Sequence, residues 1–254
     1  MSRVITVASQ KGGVGKTTTI VNLSSWLALL GKKVLVIDTD PQGSASSCLG
    51  ITKGKIIKGL KEVILEQYPF DAVIYRTFIK NLEVVPCNIW DSSTESKLLH
   101  IVSEEEYILR DAIDLMEKHY DYIMIDSPSS IAVLPIAAMT AADSVIVPLQ
   151  CEFLALSTIP RLLNTILEVR QNFNKWLHLE GVLITMYDKT TSYANQIVSE
   201  TKNKFDSVLF KTIIPRNARL SEATSLNRPV VLYDIRSDGA EAYLSLAKEI
   251  VNKK

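Results

Sequence analysis

Lys11 and Lys16 bracket a run of glycines, and hydroxyls follow: the segment reads Ser9-Gln10-Lys11-Gly12-Gly13-Val14-Gly15-Lys16-Thr17-Thr18. Gly12, Gly13 and Gly15 permit positive φ, so the backbone N–H groups around Val14 can close on an anion. A lysine at the end of such a loop reaches the β- and γ-phosphates of a nucleotide, and the next hydroxyl, on Thr17, ligates Mg²⁺. Two carboxylates complete the set. Asp40 lies in Thr39-Asp40-Pro41-Gln42-Gly43, and Asp126 ends Tyr122-Ile123-Met124-Ile125-Asp126 before Ser127-Pro128-Ser129-Ser130. In phosphoryl transfer an aspartate at a strand end, as Asp126 is, holds Mg²⁺ through water. The chemistry predicted from these residue types is Mg²⁺-dependent hydrolysis of a nucleoside triphosphate.

The flanking elements must bring these groups to one place. Val4 to Val7 is a β-branched run before the loop, and Thr18 to Leu30 is a helical pattern that stops at Gly31. Strand, glycine turn and helix is the context a phosphate loop requires, and the helix start adds free N–H groups and a positive dipole end. Lys33 to Asp38 is continuously apolar before its aspartate, as expected of a central parallel strand. Pro41 and Gly43 stop it, which leaves Asp40 on a loop at a strand's C-terminal end, where open α/β sheets bind ligands. Further strands are predicted at Leu82–Pro86, Tyr120–Asp126, Ser144–Leu149, Val182–Met186 and Thr212–Ile214. Helices are predicted at Leu60–Tyr68, Glu104–His119, Ser157–Phe173, Tyr193–Phe205 and Gly239–Val251. The Glu104–His119 helix would bury Ile108, Ala112, Leu115 and Met116, and the last helix Ala240, Tyr243, Leu244, Ala247 and Val251.

Strands alternate with helices throughout, with no repeat or linker. The expected fold is a single α/β domain over 1–254, a P-loop NTPase with a mostly parallel twisted sheet flanked by helices on both faces. A chain of 254 residues with 47% hydrophobic composition is ample for one such core. Formal net charge is zero, but residues 1–180 carry 17 Lys/Arg against 20 Asp/Glu, and residues 181–254 carry 11 against 8. The basic excess is mild and C-terminal. Cys48, Cys87 and Cys151 form no CxxC pair, so neither a zinc site nor a disulfide framework is indicated, and a reducing cytosol is expected. No signal peptide is expected. Ile131–Leu149, the most apolar stretch, is broken by Pro135, Asp143 and Pro148 and reads as helix, turn and strand.

Gln10 stands where the common loop GxxxxGK[ST] has its first glycine, and Lys11 follows it. This deviant form, KGGVGKT, resembles the signature of the ParA/MinD family of ATPases. IDTDPQGSAS, YIMIDSPSS, VPLQCEFLAL, EGVLITM, IIPRNARLSEA and DIRSDGAEAYLSLAKE are similar to segments of ParA/Soj partition ATPases, in the same order and over essentially the whole chain. The resemblance implies an ATP-sandwich homodimer in which Lys11 crosses to the partner's phosphates and acts with Lys16 and Asp40 in catalysis. It implies phosphate contacts from Gly12 to Thr18, Mg²⁺ at Thr17 and Asp126, and adenine beside Pro215 and Asn217. It implies a cytoplasmic, nucleoid-associated protein that binds DNA without sequence preference through Lys189, Arg216 and Arg219, and answers to a ParB-like adaptor. Two positions depart from the family pattern. Ser129 replaces the second proline of DxPPS, and Lys189 replaces an arginine, which keeps the charge and loses the bidentate fork. No basic amphipathic extension follows the last helix, which disfavours a MinD-like membrane-cycling regulator. A metal-cluster protein of the same fold, which would place cysteines at a dimer interface, is disfavoured because no cysteine lies between Cys87 and Cys151.

Overall fold

The alternation of apolar side chains along the central strands divides them between two helical layers. The computed structural model describes residues 2–129, 133–152 and 155–253. The strands are β1 (Arg3–Val7), β2 (Val34–Asp38), β3 (Tyr75–Arg76), β4 (Leu82–Val85), β5 (Tyr122–Asp126), β6 (Ser144–Gln150) and β7 (His178–Thr185). They form one seven-stranded sheet in the order β3-β4-β2-β5-β1-β6-β7. All neighbours run parallel except β3, which pairs antiparallel with β4 at the edge.

Val4, Leu35, Ile37, Ile123 and Ile125 face one core, with helices Leu60–Glu66, Ser92–Glu104, Ile108–Asp114, Val133–Ala141 and Ala155–Asn172. Ile5, Val7, Val34, Val36, Tyr122 and Met124 face the other, with helices Lys16–Leu29, Ala218–Ser225, Val230–Tyr233 and Asp238–Asn252. β1, β2 and β5 are therefore covered on both faces, and their C-terminal ends are where loops and site residues gather. The helix Lys16–Leu29 ends as expected: Gly31 sits at φ 87°, Gly31 N donates to Ala28 O and Lys32 N to Leu27 O. Only glycine adopts that left-handed position at no steric cost.

Several sequence expectations need correction. In place of the single helix expected at Glu104–His119 there is first an unforeseen helix, Ser92–Glu104, that ends where the expected one was to begin, and then a shorter one, Ile108–Asp114. Asp91 caps the first, its carboxylate accepting Thr94 N at 2.9 Å and Thr94 Oγ1 at 2.8 Å. The run Glu104-Glu105-Glu106 opposes the negative end of that helix's dipole and marks its stop. Leu115, expected inside, is 79% exposed because the second helix ends before it.

Thr212–Ile214 is not a strand. The chain there touches β7 and its extension at separate points, through Phe210 N to Val182 O, Ile214 N to Ile184 O and Arg216 N to Tyr187 O. Pro215 has no N–H with which to continue a ladder. The last helix buries Leu246 and Ile250, while Leu244 and Val251 are only partly covered. Among the described residues no helix is long and apolar enough to cross a membrane.

Candidate functional site

The loop between β1 and the helix Lys16–Leu29 is held by backbone geometry. Gly13 at φ 73° and Gly15 at φ 92° turn the chain, and Gly15 is the left-handed residue preceding the helix. Val14 is buried, and its carbonyl accepts the Thr185 hydroxyl at 2.9 Å, which ties the loop to β7. The first turn of the helix carries no acid, so its positive end is uncompensated by the helix itself.

Lys16 opens that helix and is only 6% exposed. Burial pushes its ammonium pKa down, and the nearby charges of Asp126 and Asp40 oppose that shift. Its Nζ donates to the Ser129 hydroxyl. Thr17 Oγ1 donates to Asp126 Oδ2 at 2.8 Å. Asp126 pairs in register with Asp38 across β5 and β2, and both are fully buried. Burial, and then the charge of Asp38, holds the Asp126 carboxyl well above the usual range, with the Thr17 hydrogen bond and Lys16 opposing. Burial likewise pushes Asp38 up to about 6, against two hydrogen bonds from Ser46, from N at 2.8 Å and Oγ at 2.6 Å.

Asp126 Oδ1 is buried and has no hydrogen-bond partner among the described residues. An orphaned carboxylate oxygen beside a second buried acid, with a threonine hydroxyl 2.8 Å from its sister oxygen, fits a divalent cation. No cluster of three or more His, Cys, Asp or Glu suited to a metal occurs among the described residues. The candidate donors for such an ion are Thr17 and Asp126, and it would draw its remaining ligands from water and phosphate.

Asp40 follows β2. Its Oδ1 accepts Gln42 N at 3.0 Å, so it does initiate the turn before Gly43, and its charge also acts on Lys16. On the other side of the loop, Gly15 and Thr18 share a cavity of about 460 Å³ with Pro215, Asn217, Met186 and Tyr243. Asn217 caps the helix Ala218–Ser225 by accepting Arg219 N at 2.9 Å, which fixes the segment that walls the cavity.

Lys11 does not point into this cluster. Its Nζ lies 2.7 Å from Glu152 of its own chain, and Glu152 is also held by Gln150 Nε2 at 2.5 Å. Arg216 N donates to Tyr187 O, which brings the Lys189 loop beside Arg216, and both side chains are exposed. Neither forms an ion pair among the described residues, although Arg216 adds to the hydrogen bonds of Thr190 in holding Asp188 below the usual range. Arg219 is different: it pairs with Glu222 at 2.7 Å and Asp234 at 3.4 Å.

The structure thus brings Lys16, Thr17, Asp40 and Asp126 together, with Thr18, Pro215 and Asn217 beside them. It sets Lys11 on a different partner; Arg216 lines the same cavity as Pro215 and Asn217, and Lys189 and Arg219 are exposed outside that lining. Ser130 and the Phe153–Leu154 part of VPLQCEFLAL lie outside the described residues. Sequence reasoning missed Asp38, Ser46, Ser129 and Glu152 as participants. Asp38 was visible as the acid ending an apolar strand, but Asp40 in the loop drew the role. Burial pushes the thiols of Cys48 and Cys151 up to about 11 and holds that of Cys87 well above its usual value, which disfavours a reactive thiolate at any of them.

Comparison with known proteins agrees with this geometry. The AAA domain family profile matches residues 2–179. The chain is 45% identical over 250 residues to the sporulation initiation inhibitor protein Soj of Bacillus subtilis, covering 98% of each. It is 42% identical over 253 residues to the chromosome partitioning protein ParA of Myxococcus xanthus, covering 100% of this chain and 89% of that one. Among solved structures, cobyrinic acid a,c-diamide synthase from Mycobacterium smegmatis with bound ADP and magnesium superposes with a TM-score of 0.83 at 34% identity, over 99% of this chain and 94% of that one.

Proposed function

The chain belongs to the Soj/ParA family of chromosome-partitioning ATPases, and we propose that it is an ATP-driven switch whose ATP-bound dimer holds DNA and whose hydrolysis releases it. The observation that carries the reading is the convergence of Lys16, Thr17 and Asp126 at the ends of β1 and β5, with one buried oxygen of Asp126 free.

The roles follow from position. The backbone from Gly12 to Thr18 binds phosphate oxygens, and Lys16 neutralises the terminal ones. Thr17 and Asp126 would hold Mg²⁺, which would supply positive charge beside the terminal phosphates. Asp40, on the loop beside Lys16, orients the attacking water. Pro215 and Asn217 wall the cavity for adenine. Lys11 leaves Glu152 and enters the partner's site, where a positive charge on the transferring phosphoryl group does what an arginine finger does. Hydrolysis then depends on dimerisation, so the nucleotide state reports assembly.

The DNA-binding face is built chiefly by Lys189 and Arg216, which form no ion pair among the described residues, although Arg216 is near enough to Asp188 to act on its charge. Backbone phosphate contacts need charge and carry no sequence information. A ParB-like adaptor would act by speeding hydrolysis. The ParA of Myxococcus xanthus and the Soj of Treponema pallidum are chromosome-partitioning proteins by name, which favours this reading over a MinD-like one.

The test is nucleotide binding followed by calorimetry with Mg²⁺ and with EDTA. Wild type binds ATP more tightly with Mg²⁺, and Lys16→Ala binds neither ATP nor ADP measurably. Equal binding by Lys16→Ala and wild type refutes the site.

A further inference from the structure

The loop after β5 leans across the phosphate-binding loop, and Ser129 is the residue that makes the contact. Its hydroxyl oxygen accepts a hydrogen bond from Lys16 Nζ. The same oxygen lies 3.9 Å from the position a Cβ would take on Gly12, so it sits over the glycine backbone as well as against the lysine. The base of this loop is fixed. Ser127 is buried and its hydroxyl donates to Val7 O at 3.3 Å, while Asp126 O accepts Thr39 N at 3.0 Å and Thr39 Oγ1 at 2.7 Å. The segment 127–129 is therefore tied at its root to β1 and to the segment carrying Asp40, and Ser129 reaches Lys16.

We propose that Ser129 is a positioning and specificity residue for the triphosphate: it holds Lys16 through one lone pair and donates its O–H to a γ-phosphate oxygen. The proposal rests on the reading of this loop as an ATP site.

The chemistry follows from the donor count. A serine hydroxyl has one donor and two acceptor positions. Lys16 takes an acceptor position, so the O–H proton remains for another group. An adjacent ammonium polarises that O–H and makes it a better donor, and hydrogen bonds to a charged acceptor are the stronger class. Lys16 is buried and carries three donors, so it can hold Ser129 and phosphate oxygens at once. No other side-chain oxygen accepts a hydrogen bond from Lys16 among the described residues; Asp126 and Asp40 act on it through space. A diphosphate ends short of the oxygen that Ser129 would meet, so the contact separates ATP from ADP. The proline common at this position supplies neither donor nor acceptor from its side chain. This chain thus carries a direct link from the terminal phosphate to the Asp126–Ser129 loop.

The test compares Ser129→Ala, Ser129→Pro and Ser129→Thr with wild type for binding of ATPγS and of ADP, each with Mg²⁺, by calorimetry. Ser129 is exposed, so thermal unfolding midpoints are expected to match. Ser129→Ala and Ser129→Pro should lose about tenfold in ATPγS affinity, the lower bound for one hydrogen bond to a charged group, with ADP affinity changed less than about twofold. Ser129→Thr should keep the wild-type ratio. ATPγS should protect the loop after Asp126 from proteolysis in wild type and Ser129→Thr, and not in Ser129→Ala. Equal losses for both nucleotides, or no loss for either, overturn the proposal while the nucleotide site stands. Wild type that binds neither nucleotide overturns the site and the proposal together.

Discussion

Replacing Glu152 by glutamine tests the proposal that Lys11 leaves its own chain for a partner's site. Lys11 Nζ and Glu152 lie 2.7 Å apart with side chains 32% and 45% exposed. A pair this open is screened by solvent and contributes about 0.2–1 kcal/mol. A dimer that uses both lysines in trans breaks the pair twice. Glu152→Gln should therefore strengthen the ATP dimer by about 0.4–2 kcal/mol, which is about 2- to 30-fold in dissociation constant. The gain should shrink as salt rises, because exposed pairs are the screened ones. The assay is sedimentation velocity with ATP in an Asp40→Ala background, which prevents turnover during the run. Lys11→Ala should remove the effect of Glu152→Gln, since no ammonium remains to be released. An unchanged or weaker dimer in Glu152→Gln, or the same gain in the Lys11→Ala background, refutes the latch.

Asp40→Ala should bind ATP and dimerise while turnover falls at least about 100-fold, the lower range for loss of a positioned general base, and it should accumulate as a dimer on a sizing column; normal turnover would remove Asp40 from the mechanism. Gly181→Ala should destabilise the fold by about 1–3 kcal/mol, the overpacking range. Its Cβ would lie 2.6 Å from the Phe210 ring and 2.9 Å from Val208 O, and a lowered thermal midpoint checks this. Glu180 gives a pH signature. Burial opposes its ionisation, but Arg3 at 2.5 Å, Ser144 and Lys253 outweigh that and hold its carboxyl below the usual 4.5. A depressed acid stabilises above its unfolded pKa and loses that contribution as pH falls through its folded value. Glu180→Gln should be less stable than wild type at pH 7, and urea midpoints should converge below about pH 4.5; a gap independent of pH contradicts the pairing.

The fold and the phosphate site were legible because their signals are local. The glycine spacing, the β-branched run before it and the apolar strand before Asp126 each state their own conformation. The helix Ser92–Glu104 was missed because its first turns, Ser92 to Lys97, are polar and its buried face rests on Leu98 and Val102 alone. The edge strand β3 is only Tyr75–Arg76, too short to show alternation. Leu115 failed as a core residue because the periodic pattern runs past the point where the helix stops. Asp38 and Ser129 needed the tertiary structure: one becomes significant through its neighbour on β5, the other through a lysine far away in sequence. The pairing of Arg219 with Glu222 and Asp234 also changes emphasis. Its charge is partly spent within the chain, so Lys189 and Arg216 are the stronger candidates for phosphate contacts.

That change sets the most direct measurement of the switch, which is affinity for random duplex DNA across a salt series with ATPγS and with ADP. Each subunit presents Lys189 and Arg216 without an ion-pair partner among the described residues. A dimer aligns two such sets. At about 0.9 per neutralised phosphate, the slope of log affinity against log salt should be about −1.8 for a subunit and about −3.6 for the dimer. Raising salt fourfold should then cost the ATPγS form about 150-fold, against about 12-fold for the ADP form. The double variant Lys189→Ala, Arg216→Ala should still dimerise with ATPγS and lose the steep slope. The account predicts tight, steeply salt-dependent, sequence-independent binding with ATPγS alone. Equal affinity and slope with ADP, or unchanged binding by the double variant, would contradict it.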